Sequence, residues 1–190
     1  MTVKPKNIWE NRKIAWLALA VCIVFSLFVM GSVKLNSLRN EALEVFRRGV
    51  HESGTLSVYT DLRSAAENAN MLSAVAAPVI GEDDEDILQL ETLCEKLLSA
   101  SDPTDMFEAY STLPLLAEKV YQKLAQSSPP EEALNTARAA SANIRSVSNT
   151  IEKDEYFSLA DEFNQRRSAF PASLFAALTG ADPLPTGGEK

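Results

Sequence analysis

Apolar residues recur at steps of three and four along most of the chain beyond residue 34, the spacing of one face of an α-helix. The pattern predicts a first helix that leads out of residue 34, a second that ends near Pro78 and Gly81, and a third behind them. Gly54 permits a break between the first two. Their apolar stripes are Leu35, Leu38, Ala42, Val45 and Phe46; Tyr59, Leu62, Ala66, Ala69, Leu72 and Ala76; and Ile87, Leu90, Cys94 and Leu97.

Start signals predict where two further helices begin. Asp102 and Pro103 suit a cap followed by the first helical position, and the stripe behind them runs from Met106 to Leu124 with a kink expected at Pro114. Ser128 and Glu131 have the spacing of a capping box. The helix after them is predicted to be long.

The last part of the chain carries stop signals. The stripe of the long helix reaches Phe163, and the helix should end before Pro171, because the residue ahead of proline avoids the α region. A short helix is predicted from 173 to 178, closed by Gly180. Residues 181–190 are predicted to be a flexible tail.

Each apolar stripe needs a partner that buries it, and the links between the stripes are short. The fold class is therefore predicted to be all-α, an antiparallel bundle of long helices over residues 34–180. Alanine and leucine dominate, and glycine is nearly absent between Thr55 and Thr179, which favours helices further.

Residues 14–33 are twenty positions without a charge. Twenty helical residues span about 30 Å, the thickness of the hydrocarbon core of a bilayer. We therefore expect a transmembrane helix and take the lipid bilayer as the partner of this segment. A cleaved signal peptide is the alternative, but its apolar core would be shorter. Lipid attachment at Cys22 would need a small residue in place of Val21.

The charges beside this run predict its orientation. Four basic residues lie in the segment 1–13, and two follow the run closely, at Lys34 and Arg39. By the positive-inside rule the N-terminus is expected in the cytoplasm and the bundle outside it. Residues 34–190 carry 14 basic and 25 acidic residues, a net charge of −11, which argues against nucleic acid and anionic head groups as ligands of the bundle.

We find no constellation of residues that predicts catalysis, a cofactor or a metal site. His51 is the only histidine and has no evident partner, and Cys94 lies on an apolar stripe, where a cysteine is usually part of the core. The acidic residues 82–86 could bind a cation or a basic partner. They lack the spacing of a calcium loop, so a helix start that attracts acids is the simpler interpretation.

The C-terminal stretch resembles the LemA family. The residues that carry the resemblance are Phe163-Asn164, Phe170-Pro171, Leu174-Phe175-Ala176-Ala177, Gly180 and Pro183. It covers residues 130–184 best. Over 34–100 the chain departs from the family's Leu-(Ile/Val)-Pro-Asn-Leu-Val run, as a divergent member would. The resemblance implies one N-terminal membrane helix and a bundle of long helices.

Apolar residues in this stretch should fold back onto the bundle as a hydrophobic clasp made of Phe163, Phe170, Leu174 and Phe175. Core packing is a simpler explanation of them than a binding site. On this interpretation Phe170→Ala would cost about 3–5 kcal/mol.

Taken together, these features predict a non-enzymatic, membrane-anchored scaffold or protein-interaction module of the cell envelope, with an unidentified protein partner. A ligand-sensing bundle outside the membrane is the alternative; with thirteen residues ahead of the apolar run, it would need a partner subunit for its output. An enzyme whose residues the sequence does not reveal is a third possibility.

Overall fold

A computed structural model describes residues 12–49, 57–170 and 172–186, and these residues form seven helices and no strand. The predicted all-α class is confirmed. The helices are α1 (Arg12–Arg48), α2 (Val58–Ile80), α3 (Glu85–Ser99), α4 (Pro103–Gln126), α5 (Glu131–Ile151), α6 (Glu155–Ser168) and α7 (Ala172–Thr179).

Side-chain caps fix the beginning of four helices. Ser57, Asp84, Asp102 and Asp154 each accept a hydrogen bond from a backbone N–H in the first turn of the helix that follows. Each such cap stabilises its helix by about 1 kcal/mol, because the first-turn N–H groups have no partner within the helix. The predicted start at Asp102-Pro103 is confirmed.

Two predicted boundaries are wrong. Pro130 lies at the N-cap of α5 and the cap has no side-chain hydrogen bond, so Ser128 and Glu131 do not form a capping box. Ser128 instead turns the chain at a positive φ of 54°. The predicted long helix is divided into α5 and α6, because Asp154 caps a new helix and accepts from Tyr156 N at 2.8 Å.

Helices α2 to α5 pack against one another as a four-helix bundle with short links, which confirms the bundle prediction. Its core is filled by the predicted stripes, with Leu62, Leu90, Leu113 and Ile144 all fully buried. Burying a leucine or isoleucine side chain contributes about 1.5–3 kcal/mol, so packing supplies most of the stability.

The C-terminal part of α1 forms a second layer with α6 and α7. Leu35, Leu38, Ala42 and Phe46 are buried there, as their spacing predicted. An aromatic cluster joins the two layers and comprises Phe46, Tyr59, Phe107, Tyr156 and Phe157. Gly54, where we predicted a break, lies outside the described residues.

The predicted hydrophobic clasp has a different composition in the structure. Phe163 is fully buried, but Phe170 is 82% exposed and Leu174 is 55% exposed. The buried apolar side chains at this chain reversal are those of Ala176, Ala181 and Leu184. The prediction was wrong for Phe170 and Leu174, because the reversal turns both side chains away from the core, and the side chain of Phe175 lies outside the described residues.

Residues 181–186, which we expected to be part of a flexible tail, run back along α6. Asn164 donates from Nδ2 to the carbonyl of Leu184 at 2.7 Å and accepts from the N–H of Leu184 at 2.9 Å. Arg167 Nε donates to the carbonyl of Ala181. The C-terminal segment is therefore held at two points, one turn of α6 apart.

Candidate functional site

The N-terminal half of α1 exposes large apolar side chains at intervals along its described length. Nine of its large apolar side chains are 44–72% exposed, and we call them the anchor surface: Trp16, Leu17, Leu19, Val21, Ile23, Phe25, Val29, Met30 and Val33. Soluble domains rarely expose this many large apolar side chains along one helix. The anchor surface is therefore the first candidate for function.

Among the residues that the structure describes, no helix meets the combined requirements of length and apolar character for crossing a membrane. The side chains of Ile14, Val24, Leu27 and Phe28 in the uncharged run lie outside the description. So do residues 1–11, on which the predicted cytoplasmic segment falls.

A cleft of about 520 Å³ opens where the two layers meet. Its apolar walls come from Phe107, Pro114, Ile151 and Phe157, and Pro185 in the returning C-terminal segment closes one side. A volume of this size is within the range of small-molecule sites. The cleft is the second candidate for function.

The polar groups of the cleft are mostly engaged within the protein. Tyr110 Oη donates to the carbonyl of Ile144 at 2.8 Å and lies 3.0 Å from Ser148 Oγ. Burial raises the pKa of the Tyr110 phenol, so this group stays neutral at physiological pH. Glu108 binds Lys96 Nζ at 3.0 Å. Glu152 is exposed at the rim.

Of the two carboxylates in the described lining, Glu108 is paired with Lys96 and Glu152 is exposed at the rim. The chemistry of the cleft suits a ligand with an apolar body and a hydrogen-bonding or cationic group near Glu152.

The acidic stretch divides into two groups in the structure. Lys123 Nζ lies 2.8 Å from Asp84 Oδ2 and 2.7 Å from Asp86 Oδ2, and Lys119 Nζ lies 2.6 Å from Asp86 Oδ1. These bonds to Lys119 and Lys123 hold the pKa of Asp86 below its usual value. Asp84 also caps α3, so these two carboxylates join α3 to α4, while Glu82, Asp83 and Glu85 are exposed.

The remaining chemical candidates are placed as follows. Cys94 is buried in the core and its Sγ donates to the carbonyl of Ala66 at 3.1 Å, as the core interpretation predicted. Cys22 is exposed on α1. His51 lies outside the described residues, and no group of three potential metal-ligating residues occurs within the described part of the chain.

The sequence did not reveal the cleft. Its walls come from α4, α5, α6 and the C-terminal segment, and one pattern of apolar spacing does not show that four separate segments meet. The pair Phe163-Asn164 was noted only for a family resemblance. Asn164 binds both backbone groups of Leu184. The residue type alone allows this role, because an amide side chain has both a donor and an acceptor.

Comparison of the chain with protein-family models, with curated proteins and with solved structures finds no match. The structure by itself defines the class of protein: an all-α helical bundle whose long first helix exposes apolar side chains in its N-terminal half. Any statement of function has to be built on these features.

Proposed function

We propose that the protein is a non-enzymatic, single-pass membrane-anchored bundle of the LemA type, which acts as a scaffold or protein-interaction module of the cell envelope. The observation that carries the proposal is the anchor surface. This surface lies within the twenty uncharged residues 14–33. The helix that carries it continues without a break into the packed part of α1.

The energetics favour a lipid environment for this surface. Apolar side chains gain about 25 cal/mol for each Å² removed from water, so nine large exposed residues on one helix strongly favour transfer. An α-helix satisfies its own backbone groups, as a spanning segment must. The four basic residues ahead of the run favour a cytoplasmic N-terminus and an extracytoplasmic bundle.

Membrane fractionation with an alkaline wash tests the anchor. The full chain should remain in the membrane pellet, whereas Leu19→Arg combined with Ile23→Arg should release most of it. A charge at the centre of a spanning helix costs about 2.5–3.5 kcal/mol.

Leu115→Arg is the matched control, because Leu115 is 78% exposed on α4. It makes the same chemical change outside the run and should leave the protein in the pellet. Release of the unaltered chain by the wash would contradict the anchor.

Protease treatment of intact cells tests the orientation. The bundle should be digested from outside, since the four basic residues ahead of the uncharged run favour a cytoplasmic N-terminus. Complete protection of the bundle, with digestion only after lysis, would place it in the cytoplasm.

The interaction role is tested in cross-linked membranes. The intact protein should yield the same cross-linked partner in independent preparations. The absence of any reproducible partner would contradict a scaffold.

A ligand-sensing bundle is the second candidate, and the cleft between the layers favours it. Its walls are apolar, and Glu152, which is exposed at the rim, supplies negative charge at its edge. Aromatic amines are the probes of choice. A thermal shift that Glu152→Gln abolishes would support this function, since ligand binding raises stability by mass action. Absence of a shift across a panel of such amines would argue against it.

A further inference from the structure

Helix α7 carries a second exposed apolar stripe. Phe170 lies two positions before the helix and is 82% exposed, and Leu174 and Leu178 on the helix are 55% and 73% exposed. The spacing of four between Leu174 and Leu178 places these two side chains along one face of α7. No charged residue occurs from Ser168 to Ala181. A cluster of exposed apolar side chains on one short segment is a candidate contact surface.

The position of α7 follows from the direction of α6. The ring centroids of Phe46 and Tyr156 lie 5.2 Å apart, so the start of α6 is near the end of α1. Helix α1 ends two residues beyond Phe46, at Arg48, yet α6 packs extensively along it. Helix α6 must therefore run back along α1, antiparallel to it.

This direction brings α7 to the anchor. From Tyr156 to Ser168 the chain rises about 18 Å, and the same distance back along α1 from Phe46 reaches Lys34. Helix α7 then contacts both α1 and α6. The packed part of α1 begins near Lys34, since Leu35 is buried while Met30 is 72% exposed. The stripe of α7 thus lies beside the end of the anchor surface.

Basic residues surround this junction. Lys34 and Arg166 are exposed, Arg39 and Arg167 are half-buried, and all four lie within a few residues of the boundary between the exposed and packed parts of α1 or at the end of α6. Such side chains suit the head-group region of a bilayer beside an inserted apolar helix. Glu162, Asp161 and Asp182 are acidic neighbours in sequence, so the local charge is mixed.

We infer that α7 is a second membrane-contacting element, an interfacial helix that inserts Phe170, Leu174 and Leu178 into the bilayer surface beside the anchor. This inference rests on the proposed anchor. The uncharged stripe makes hydrocarbon burial the driving force, and the net charge of −11 on residues 34–190 opposes attraction to anionic lipids. Vesicles of zwitterionic lipid should therefore be enough for the α7 side chains to insert.

The test uses the full chain with Cys22→Ser, reconstituted into phosphatidylcholine vesicles. Leu174→Cys and Leu178→Cys each carry a nitroxide label; Cys94 is buried, and a chain without an introduced cysteine measures any label that it takes up. Collision with oxygen and with a water-soluble nickel chelate reports the depth of the label. Both α7 labels should collide mainly with oxygen. Leu115→Cys is the matched control on α4 and should collide mainly with nickel.

The outcomes separate the two proposals. If the protein resists the alkaline wash but both α7 labels behave like the label at 115, the interfacial helix is overturned and the anchor stands. If the wash releases the protein, the anchor fails and the inference fails with it. Spin–spin broadening between labels at 174 on different molecules would show that a second copy covers the stripe, which also overturns the inference.

A second variant removes the stripe without a label. Leu174→Ser combined with Leu178→Ser should leave the far-ultraviolet circular dichroism and the melting temperature in detergent unchanged, because both side chains are exposed. In vesicles the same variant should make a nitroxide at Phe170→Cys accessible to nickel. An unchanged depth at 170 would contradict insertion of the stripe as a unit.

Discussion

Two buried tyrosines have opposite hydrogen-bonding environments. Tyr156 is fully buried in the aromatic cluster, and none of the described residues lies within hydrogen-bond distance of its hydroxyl. Burial raises the pKa of this phenol well above its usual value, so it is never charged in the folded protein. Tyr110, by contrast, has two partners at 2.8 and 3.0 Å.

Replacing each tyrosine with phenylalanine should therefore shift stability in opposite directions. Tyr156→Phe removes a buried hydroxyl without a partner and should raise the free energy of unfolding by about 1–2 kcal/mol. Tyr110→Phe loses satisfied hydrogen bonds and should lower it by about 1 kcal/mol. Urea unfolding in detergent measures both. A loss of stability in Tyr156→Phe would show that its hydroxyl has a partner.

Phe163 and Phe170 lie near the chain reversal and differ in burial, so their replacement should affect stability differently. Phe163→Ala should lower the free energy of unfolding by about 3–5 kcal/mol, because the ring is fully buried. Phe170→Ala should change it by less than about 0.5 kcal/mol in detergent, because the ring is 82% exposed. Equal losses of stability in the two variants would support the hydrophobic clasp that the sequence predicted.

At the scale of the elements, local chemistry explains which boundaries were predictable. Asp102-Pro103 is a strong start signal because each residue satisfies a separate requirement of the first turn. The break after Ile151 was not predicted, because the apolar spacing continues through Leu159 and Phe163, and the cap residue Asp154 has neither a proline at the first helical position nor a Glu or Gln three positions on. The spacing of apolar residues shows which face of a helix is buried, but it does not show whether one helix or two successive helices carry that face.

The link between α3 and α4 should depend on pH. Asp86 has a depressed pKa in the folded state, so its bonds to Lys119 and Lys123 are fully present above the unfolded value of about 3.9 and are lost as the pH falls below it. Asp86→Asn should lower the melting temperature at pH 7, and the difference from the unaltered protein should vanish in acid.

Asp83→Asn is the matched control for this measurement. It removes the same charge from an exposed position next to Asp84 and should not change the melting temperature at either pH. A difference between Asp86→Asn and the unaltered protein that persists in acid would show that the link does not depend on ionisation.

The C-terminal segment should depend on one amide. Asn164→Ala removes both hydrogen bonds to Leu184, so the N–H of Leu184 should exchange with solvent faster, by a factor that corresponds to about 1–3 kcal/mol. Hydrogen exchange with fragment analysis measures this change. Asn143→Ala, which loses one exposed bond to Asn68, is the control and should leave the segment unchanged.

At the scale of the whole molecule, the helices were predictable but their arrangement was not. Periodicity predicts most of the buried positions of α2, α3 and α4, because each face is determined locally, although Tyr59 is only half-buried and the buried Ala65 and Leu116 lie outside the predicted stripes. The division into two layers depends on long-range contacts such as Phe46 with Tyr156, which lie 110 positions apart in sequence. The cleft depends on the same contacts, so it could not be predicted either.

The aromatic cluster should couple the two layers. Phe46→Ala should lower the free energy of unfolding by about 3–5 kcal/mol, because Phe46 is fully buried and contacts both Tyr59 of α2 and Tyr156 of α6. Hydrogen exchange should then accelerate in α2 as well as in α6. Acceleration confined to α6 would show that the layers unfold independently. Leu115→Ala is the exposed control.

The unbroken course of α1 has a mechanical consequence. From Val33 to Phe46 the helix extends about 20 Å, with no described break between the apolar run and the aromatic cluster. With residues 14–33 in a bilayer, a tilt of about 20° would carry the cluster sideways by about 7 Å. If the proposed anchor holds, any change in the tilt of α1 would therefore move the cleft relative to the bilayer surface, because the helix joins the two without a described break.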